Sequence, residues 1–464
     1  MDTGASRNPL GRGMNRRQLL RIGGLGAFGM NLSGLLRAEA ASPSSPASVG
    51  SGSKIKSCIL VFYYGGPSHH ETWDMKPNAP REVRGEFNSI ATSVPGIRIG
   101  EHQPHSAKVV DRLAIIRSVH HPMTNHNAAA FATLSGRPPL KGDLELLGND
   151  RNDPPCLGSA LSHQLPERPG LPTFVALPHV MHNVVQLPGQ IAGFLGSAHN
   201  PFQLTRDPNA TDFRLDELEL PGDVSLDRLE HRASLLEVVD NQLRQGDKAA
   251  AGARDLDTYN AKAFRLLRSE SVRRAFHIES EDPKLRDRYG RTKHGQSMLL
   301  ARRLVESGVR FVSVYDHEVN GQLANWDSHS DVFPRHKNDL LPPADRAFAA
   351  LIDDLTERGL LESTLVIAMG EFGRTPKINA TAGRDHWPYC YSVVMAGGGV
   401  RGGVTYGASD KLGAYPDTDP VTPADIAATL FWRFGLDPES EIVDLTGRPY
   451  RLADGAPIRG LFPA

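Results

Sequence analysis

Residues 365–369 form an uninterrupted apolar run that stops abruptly at Gly370-Glu371-Phe372-Gly373-Arg374. A strand buried on both faces reads as such a run rather than as alternating apolar and polar residues, the signature of a parallel sheet covered by helices. Five more short, mostly apolar runs are strand candidates, at 58–64, 113–119, 173–177, 310–315 and 392–396. Helical patterns separate several of them. Residues 296–306 are rich in Leu, Ala and Arg and stop at Gly308; residues 342–358 put Ala344, Phe348, Leu351, Ile352 and Leu355 on one face and end at Gly359. Thr422-Pro423 supplies an N-cap with proline at the first helical position, and that helix runs to Gly435. Strands alternating with helices predict an α/β domain, a mainly parallel sheet with helices on both faces. Residues 200–291 are charged and Leu-studded with weak strand signals, and are expected to form a helical insertion.

Ligands of open α/β sheets collect beyond the carboxyl ends of the strands, so the segments after each run are where chemistry is expected. After 365–369 come Glu371 and, about a dozen residues later, Arg384-Asp385-His386-Trp387. A carboxylate followed by an Asp-His pair suits a hard metal or an acid/base site. After 58–64 comes Gly65-Gly66-Pro67-Ser68-His69-His70-Glu71-Thr72-Trp73-Asp74, in which glycines admit a ligand and Ser68, His70, Glu71 and Asp74 offer a nucleophile, ligands or acid/base groups. A plain turn with Glu71 capping the next helix fits the same residues. After 310–315, Asp327 and His329 stand two apart, with Asp316-His317 competing for their role. Residues 124–138 read as a turn entering a helix, whose N-terminus favours an anion. Thr124 or Asn125 as a simple N-cap, with solvated histidines, explains them equally.

The N-terminus bears on location. Asn15-Arg16-Arg17-Gln18-Leu19-Leu20-Arg21 is a twin-arginine signature, followed by a glycine-interrupted apolar stretch at 22–36 and an Ala38-Glu39-Ala40 cleavage site. The stretch is too short and broken to span a membrane. Residues 1–41 are therefore expected to be an export signal, 42–53 a Ser/Pro/Gly linker and 54–464 the folded body, placed in the periplasm or outside the cell. No other segment is apolar enough for a span, so no stable membrane span is expected after processing. With 52 basic and 53 acidic residues, net charge is −1, and no electrostatic footprint for nucleic acid exists. Cys58, Cys156 and Cys390 are too few and too scattered for a disulfide framework, and Cys58 and Cys390, each at the edge of an expected strand, read as buried spectators.

Taken in order, GGPSHHETWDMKP, the Asn125-His126-Asn127-Ala128 run, HGQSMLLARRLVESGVRFVSV, WDSH, GEFGRTPKIN and GRDHWP resemble the exported domain-of-unknown-function family numbered 1501, within the alkaline phosphatase/sulfatase superfamily. The likeness covers nearly all of 58–461. It implies an alkaline-phosphatase-like three-layer sandwich. It also implies a metal site in which Glu371 keeps one ligand role, His386 matches a late histidine with Asp385 beside it, and Asp327 and His329 match a mid-chain pair. His126 falls where sulfatases carry their nucleophile. The Cys/Ser-x-Pro-x-Arg signature that sulfatases convert to formylglycine is absent around every cysteine. Tyr64-Gly65-Gly66 stands where a first-strand aspartate is expected, with Ser68, His70, Glu71 or Asp74 to compensate.

These readings lead to an exported metal-dependent hydrolase-like protein acting on a phosphate or sulfate ester of a small molecule or glycan. Asp327, His329, Glu371 and His386 would hold a divalent Zn, Ca or Mn ion, with Asp385, His70 and Asp74 as further ligand candidates. Arg374 and Arg384 would clamp the oxyanion, His126 would be an acid/base or anion contact, and Ser68 a nucleophile. The competing class is a catalytically inactive anion- or glycan-binding protein of the cell envelope with the same fold.

Overall fold

The computed structural model describes residues 55–166, 168, 170–213, 270–316 and 325–463. The export signal and linker expected over 1–53, His317, and most of the insertion expected over 200–291 lie outside the described residues.

All six apolar runs become strands of one sheet: β1 Ser57–Phe62, β2 Leu113–Val119, β3 Phe174–Leu177, β5 Phe311–Tyr315, β6 Thr364–Met369 and β9 Tyr391–Gly397. Two short strands complete it at the edges, β4 Phe202–Gln203 and β10 Val404–Tyr406, giving the order β10-β2-β9-β6-β1-β5-β3-β4. β1 lies at the centre, parallel to both β5 and β6. β9 alone runs antiparallel to its neighbours, β2 and β6. Its chain enters from the same edge at which β6 leaves.

Alternation along the strands divides the core in two. Ile59 and Val61 pack one way, with Leu299, Leu304, Leu351 and Leu355 of α3 (Lys293–Ser307) and α4 (Leu341–Glu357). Cys58, Leu60 and Phe62 pack the other way, with Leu134, Leu161 and Phe431 of α1 (His126–Ser135), α2 (Leu157–Gln164) and α5 (Pro423–Arg433). The molecule is thus the three-layer α/β sandwich that the resemblance implies. Fully burying each such aliphatic side chain contributes about 1.5–3 kcal/mol, which explains why the runs are mostly apolar on both faces. Helix boundaries follow local chemistry. Thr422 and Asp425 form a reciprocal capping box on α5, and α3 ends at Gly308 in the left-handed conformation. All three cysteines are buried free thiols. At the flanks of the expected insertion, the helices Glu270–Phe276 and Pro283–Tyr289 join the α3/α4 side of the core. Among the described residues no helix is long and apolar enough to cross a membrane.

Because β1, β2, β5 and β6 point the same way, the segments following them emerge at one edge: 63–74, 120–126, 325–329 and 370–387. The last of these folds into a small antiparallel hairpin, β7 (Gly373–Arg374) with β8 (His386–Trp387).

Candidate metal centre

His386 pairs across the hairpin with Arg374, so both side chains leave on one face. That face looks onto Asp327, carried in by the segment after β5. Gly65 makes the approach possible: at φ +109 it passes so close that an added Cβ would lie 2.5 Å from the Asp327 backbone nitrogen.

One oxygen of Asp327, Oδ1, is the focus of the site. His329 Nε2 lies 3.0 Å from it, His386 Nε2 3.3 Å, His126 Nε2 3.4 Å and Arg374 Nη2 2.6 Å. His329 Nε2 and His386 Nε2 are themselves 3.1 Å apart. The opposite ring nitrogen of every imidazole is anchored. His126 Nδ1 donates to Glu371 Oε1 at 2.7 Å, His329 Nδ1 to Asp385 Oδ1 at 2.7 Å, and His386 Nδ1 to the Thr124 carbonyl at 2.8 Å. Each anchor fixes a tautomer in which the Nε2 lone pair faces the cluster, the arrangement by which proteins orient metal-binding histidines. Phe372 packs against two of the rings, 4.9 Å from His126 and 4.5 Å from His386 between centroids, and holds them in place.

The group fits a metal ion on two grounds. His126 Nε2 is buried yet finds no aligned hydrogen-bond partner, and an orphaned buried nitrogen is costly unless something takes its lone pair. Donors at about 2.0–2.2 Å from one tetrahedral ion stand a little over 3 Å from each other, the spacing seen around Asp327 Oδ1. His126, Asp327 and His386 form a three-donor cluster, and His329 stands beside it at the open side, its Nε2 near Asp327 and His386. Exposure grades across the site: the Glu371 side chain is fully buried and that of His126 5% exposed, whereas those of His329 and Asp385 are 47% and 53% exposed. A ligand therefore enters over His329 and Asp385, and Glu371 and His126 form the floor.

Electrostatics bind the group together. Burial raises the Asp327 carboxyl, but the facing His126, His329 and His386 imidazoles and the Arg374 charge outweigh it and hold the group far below the usual range. Burial likewise lowers His126, and its contacts with Asp327 and Glu371 reverse the effect, lifting it to about 9. His329 is raised by Asp327 first, whereas burial keeps His386 low.

The expected site residues fall into three groups. Asp327, His329, His386, His126 and Arg374 meet at the cluster. Glu371 and Asp385, expected as ligands, stand one layer behind it: both Glu371 oxygens face the Gly65 N–H, at 2.9 and 3.2 Å, and Oε1 also takes the His126 proton. The remaining residues lie elsewhere. Arg384, expected on an oxyanion, is fully buried with Glu71, Nη2 to Oε1 at 2.7 Å, and spends its other donors on the Thr375, Pro376 and Val83 carbonyls. That pairing also occupies Glu71, which caps no helix. The Arg374 guanidinium is committed likewise, to the Gly65, Gly66 and Arg384 carbonyls and Asp327, and so serves as a brace. Ser68 is buried in the turn. His70 is buried against His69 with ring centroids 4.2 Å apart, and Asp74 pairs with Lys76, Arg117 and Ser409. Asp316 pairs with His294 and the Trp326 indole.

Three contributors carried no sequence signal: the Thr124 carbonyl, Asn379, which donates to Asp385 Oδ1 at 3.2 Å, and Asp143, which accepts from the Thr124 and Asn125 backbone at the start of α1. Asn125 takes the N-cap position of α1 with no side-chain capping bond.

The chain belongs to the family described as "Protein of unknown function (DUF1501)", whose sequence profile matches residues 55–462. No curated protein matches it by sequence. Among solved structures it is similar to the PsFucS1 sulfatase from Pseudoalteromonas sp., with 13% identity, 87% of this chain and 70% of that one covered, and a TM-score of 0.38. It is also similar to a protein in the alkaline phosphatase superfamily from Vibrio parahaemolyticus, with 11% identity, 88% and 76% covered, and a TM-score of 0.36. A third is the phosphonate monoester hydrolase SpPMH from Silicibacter pomeroyi, with 10% identity, 89% and 78% covered, and a TM-score of 0.36.

Proposed function

We propose that this chain is an exported, metal-dependent hydrolase of phosphate or sulfate esters. The observation that carries the reading is the convergence of three anchored imidazoles on one carboxylate oxygen at the edge where a parallel sheet presents its ligands. Asp327, His126, His329 and His386 would hold the ion. An imidazole-rich set without thiolate favours Zn or Mn over Ca, which takes six to eight oxygen donors.

A divalent ion in such a place supplies Lewis acidity toward an ester oxygen. The protein's own groups do the rest. Arg374 pins Asp327 so that Oδ1 faces the imidazoles. Glu371, itself held by the Gly65 N–H, keeps the His126 proton on Nδ1. Asp385 does the same for His329 at the open rim, where a small ester or the end of a glycan has access. For export, the support is Arg16-Arg17 ahead of the apolar stretch at 22–36. Replacing both arginines by lysine is expected to keep the protein in the cytoplasm.

The test is elemental analysis of protein recovered from its native export route, with turnover of aryl phosphates and aryl sulfates. One bound ion per chain and turnover of either ester, both lost in Asp327→Ala and His386→Ala, are expected. Protein that is metal-free and inert, yet retained by sulfated polysaccharide, would transfer the case to an inactive anion-binding protein.

A further inference from the structure

Tyr64 ends the turn out of β1, and its neighbours tie it to the cluster on every side. Its ring stands edge-on to His126, with centroids 5.5 Å apart and planes at 67°. Its carbonyl accepts from Trp326 N at 3.2 Å, next to Asp327, and the following residue, Gly65, donates to Glu371.

The side chain is 2% exposed, yet its hydroxyl finds no hydrogen-bond partner among the described residues. Buried phenols ordinarily have one, because an unpaired O–H forfeits its bond to water. Tyr289 shows the usual case, its hydroxyl donating to Asp354 at 2.9 Å. Asn149, in the loop whose Asp143 holds the Thr124 backbone, also keeps both amide atoms buried without a partner among the described residues.

We infer that the Tyr64 hydroxyl is a substrate contact, donating a hydrogen bond to an anionic oxygen of the tetrahedral ester held against the His–Asp cluster. The inference rests on the ester-hydrolase reading and adds to it a donor that the committed guanidinium groups of Arg374 and Arg384 do not provide.

Tyr64→Phe removes only the hydroxyl. Calorimetric titration of the full, metal-bearing protein with inorganic phosphate, and separately with inorganic sulfate, is expected to show about tenfold weaker binding of whichever anion the wild type takes, the loss of one hydrogen bond to a charged group. Metal content should be unchanged and Tm equal or higher, since the fold loses an unsatisfied polar group. Tyr289→Phe should do the reverse, lowering Tm and leaving anion binding alone. Unchanged anion affinity in Tyr64→Phe would overturn the inference, as would a Tm loss like that of Tyr289→Phe, which would reveal a partner within the fold. Wild-type protein that binds neither anion would overturn the ester reading itself and this inference with it, a result distinct from an effectless Tyr64→Phe.

Discussion

Glu371 offers the sharpest test of how the site is layered. It is fully buried, accepts from Gly65 N at 2.9 Å and holds the Nδ1 proton of His126 at 2.7 Å, but is not among the three clustered donors, His126, Asp327 and His386. Glu371→Gln keeps the shape and one carbonyl oxygen where Oε1 stood, so His126 should stay in position with a weaker anchor. Loss of such an outer contact costs about 10–100-fold in metal affinity, or about 1.4–2.7 kcal/mol. Glu371→Ala does more. It strands the Gly65 N–H and His126 Nδ1–H, two buried donors at about 1–3 kcal/mol each. With an unfolding entropy of about 2.1 cal/mol/K per residue, a domain of this size should lose about 2–7 °C in Tm. Competition with a chromophoric chelator measures the affinity, and melting of chelated protein the stability. Two outcomes would refute the layering. Wild-type affinity in Glu371→Gln would mean the anchor does nothing. A loss as complete as in His386→Ala would make Glu371 a direct ligand.

Chelated protein should lose stability as pH rises. His126 is lifted from 6.5 to about 9, so its contribution is complete below 6.5, fades as pH climbs through 9, and is on the order of 3 kcal/mol. Melting curves of chelated protein between pH 6 and 9.5 should fall across that window, and a flat profile would count against the coupling of His126 to Asp327 and Glu371. Arg384→Met leaves Glu71 charged in the core and should cost about 3–5 kcal/mol, visible as lost soluble yield or a lower denaturation midpoint; an undamaged fold would contradict the bracing role. His69→Ala should leave metal content intact but lower Tm, because His69 is buried and its Nε2 is 2.8 Å from the Gly413 carbonyl. Loss of metal in that variant would place His69 in the site.

The sheet was legible because burial on both faces leaves no choice of residue: an apolar run bounded by glycine is a local property, and the runs ending at Met369 and Tyr315 announce themselves without partners. The strand-end rule also anticipated which groups would meet, since parallel strands deliver Asp327, His386 and Glu371 to one edge whatever the intervening loops do. Which of those groups stand in the cluster and which stand behind it was not local. Glu371 and His126 are 245 residues apart, and His386 and Thr124 are 262 apart. A carboxylate reads the same in sequence whether it faces an open cluster or the back of an imidazole. Arg384 shows the same degeneracy: beside Asp385 and His386 it looks like an anion clamp, and only the arrival of Glu71 from 313 residues away turns it into a buried strut. Composition and spacing set the kinds of groups present at the edge. Packing decided which lone pairs remained free, because that depends on which distant backbone carbonyls and carboxylates the closed sheet brings against each side chain.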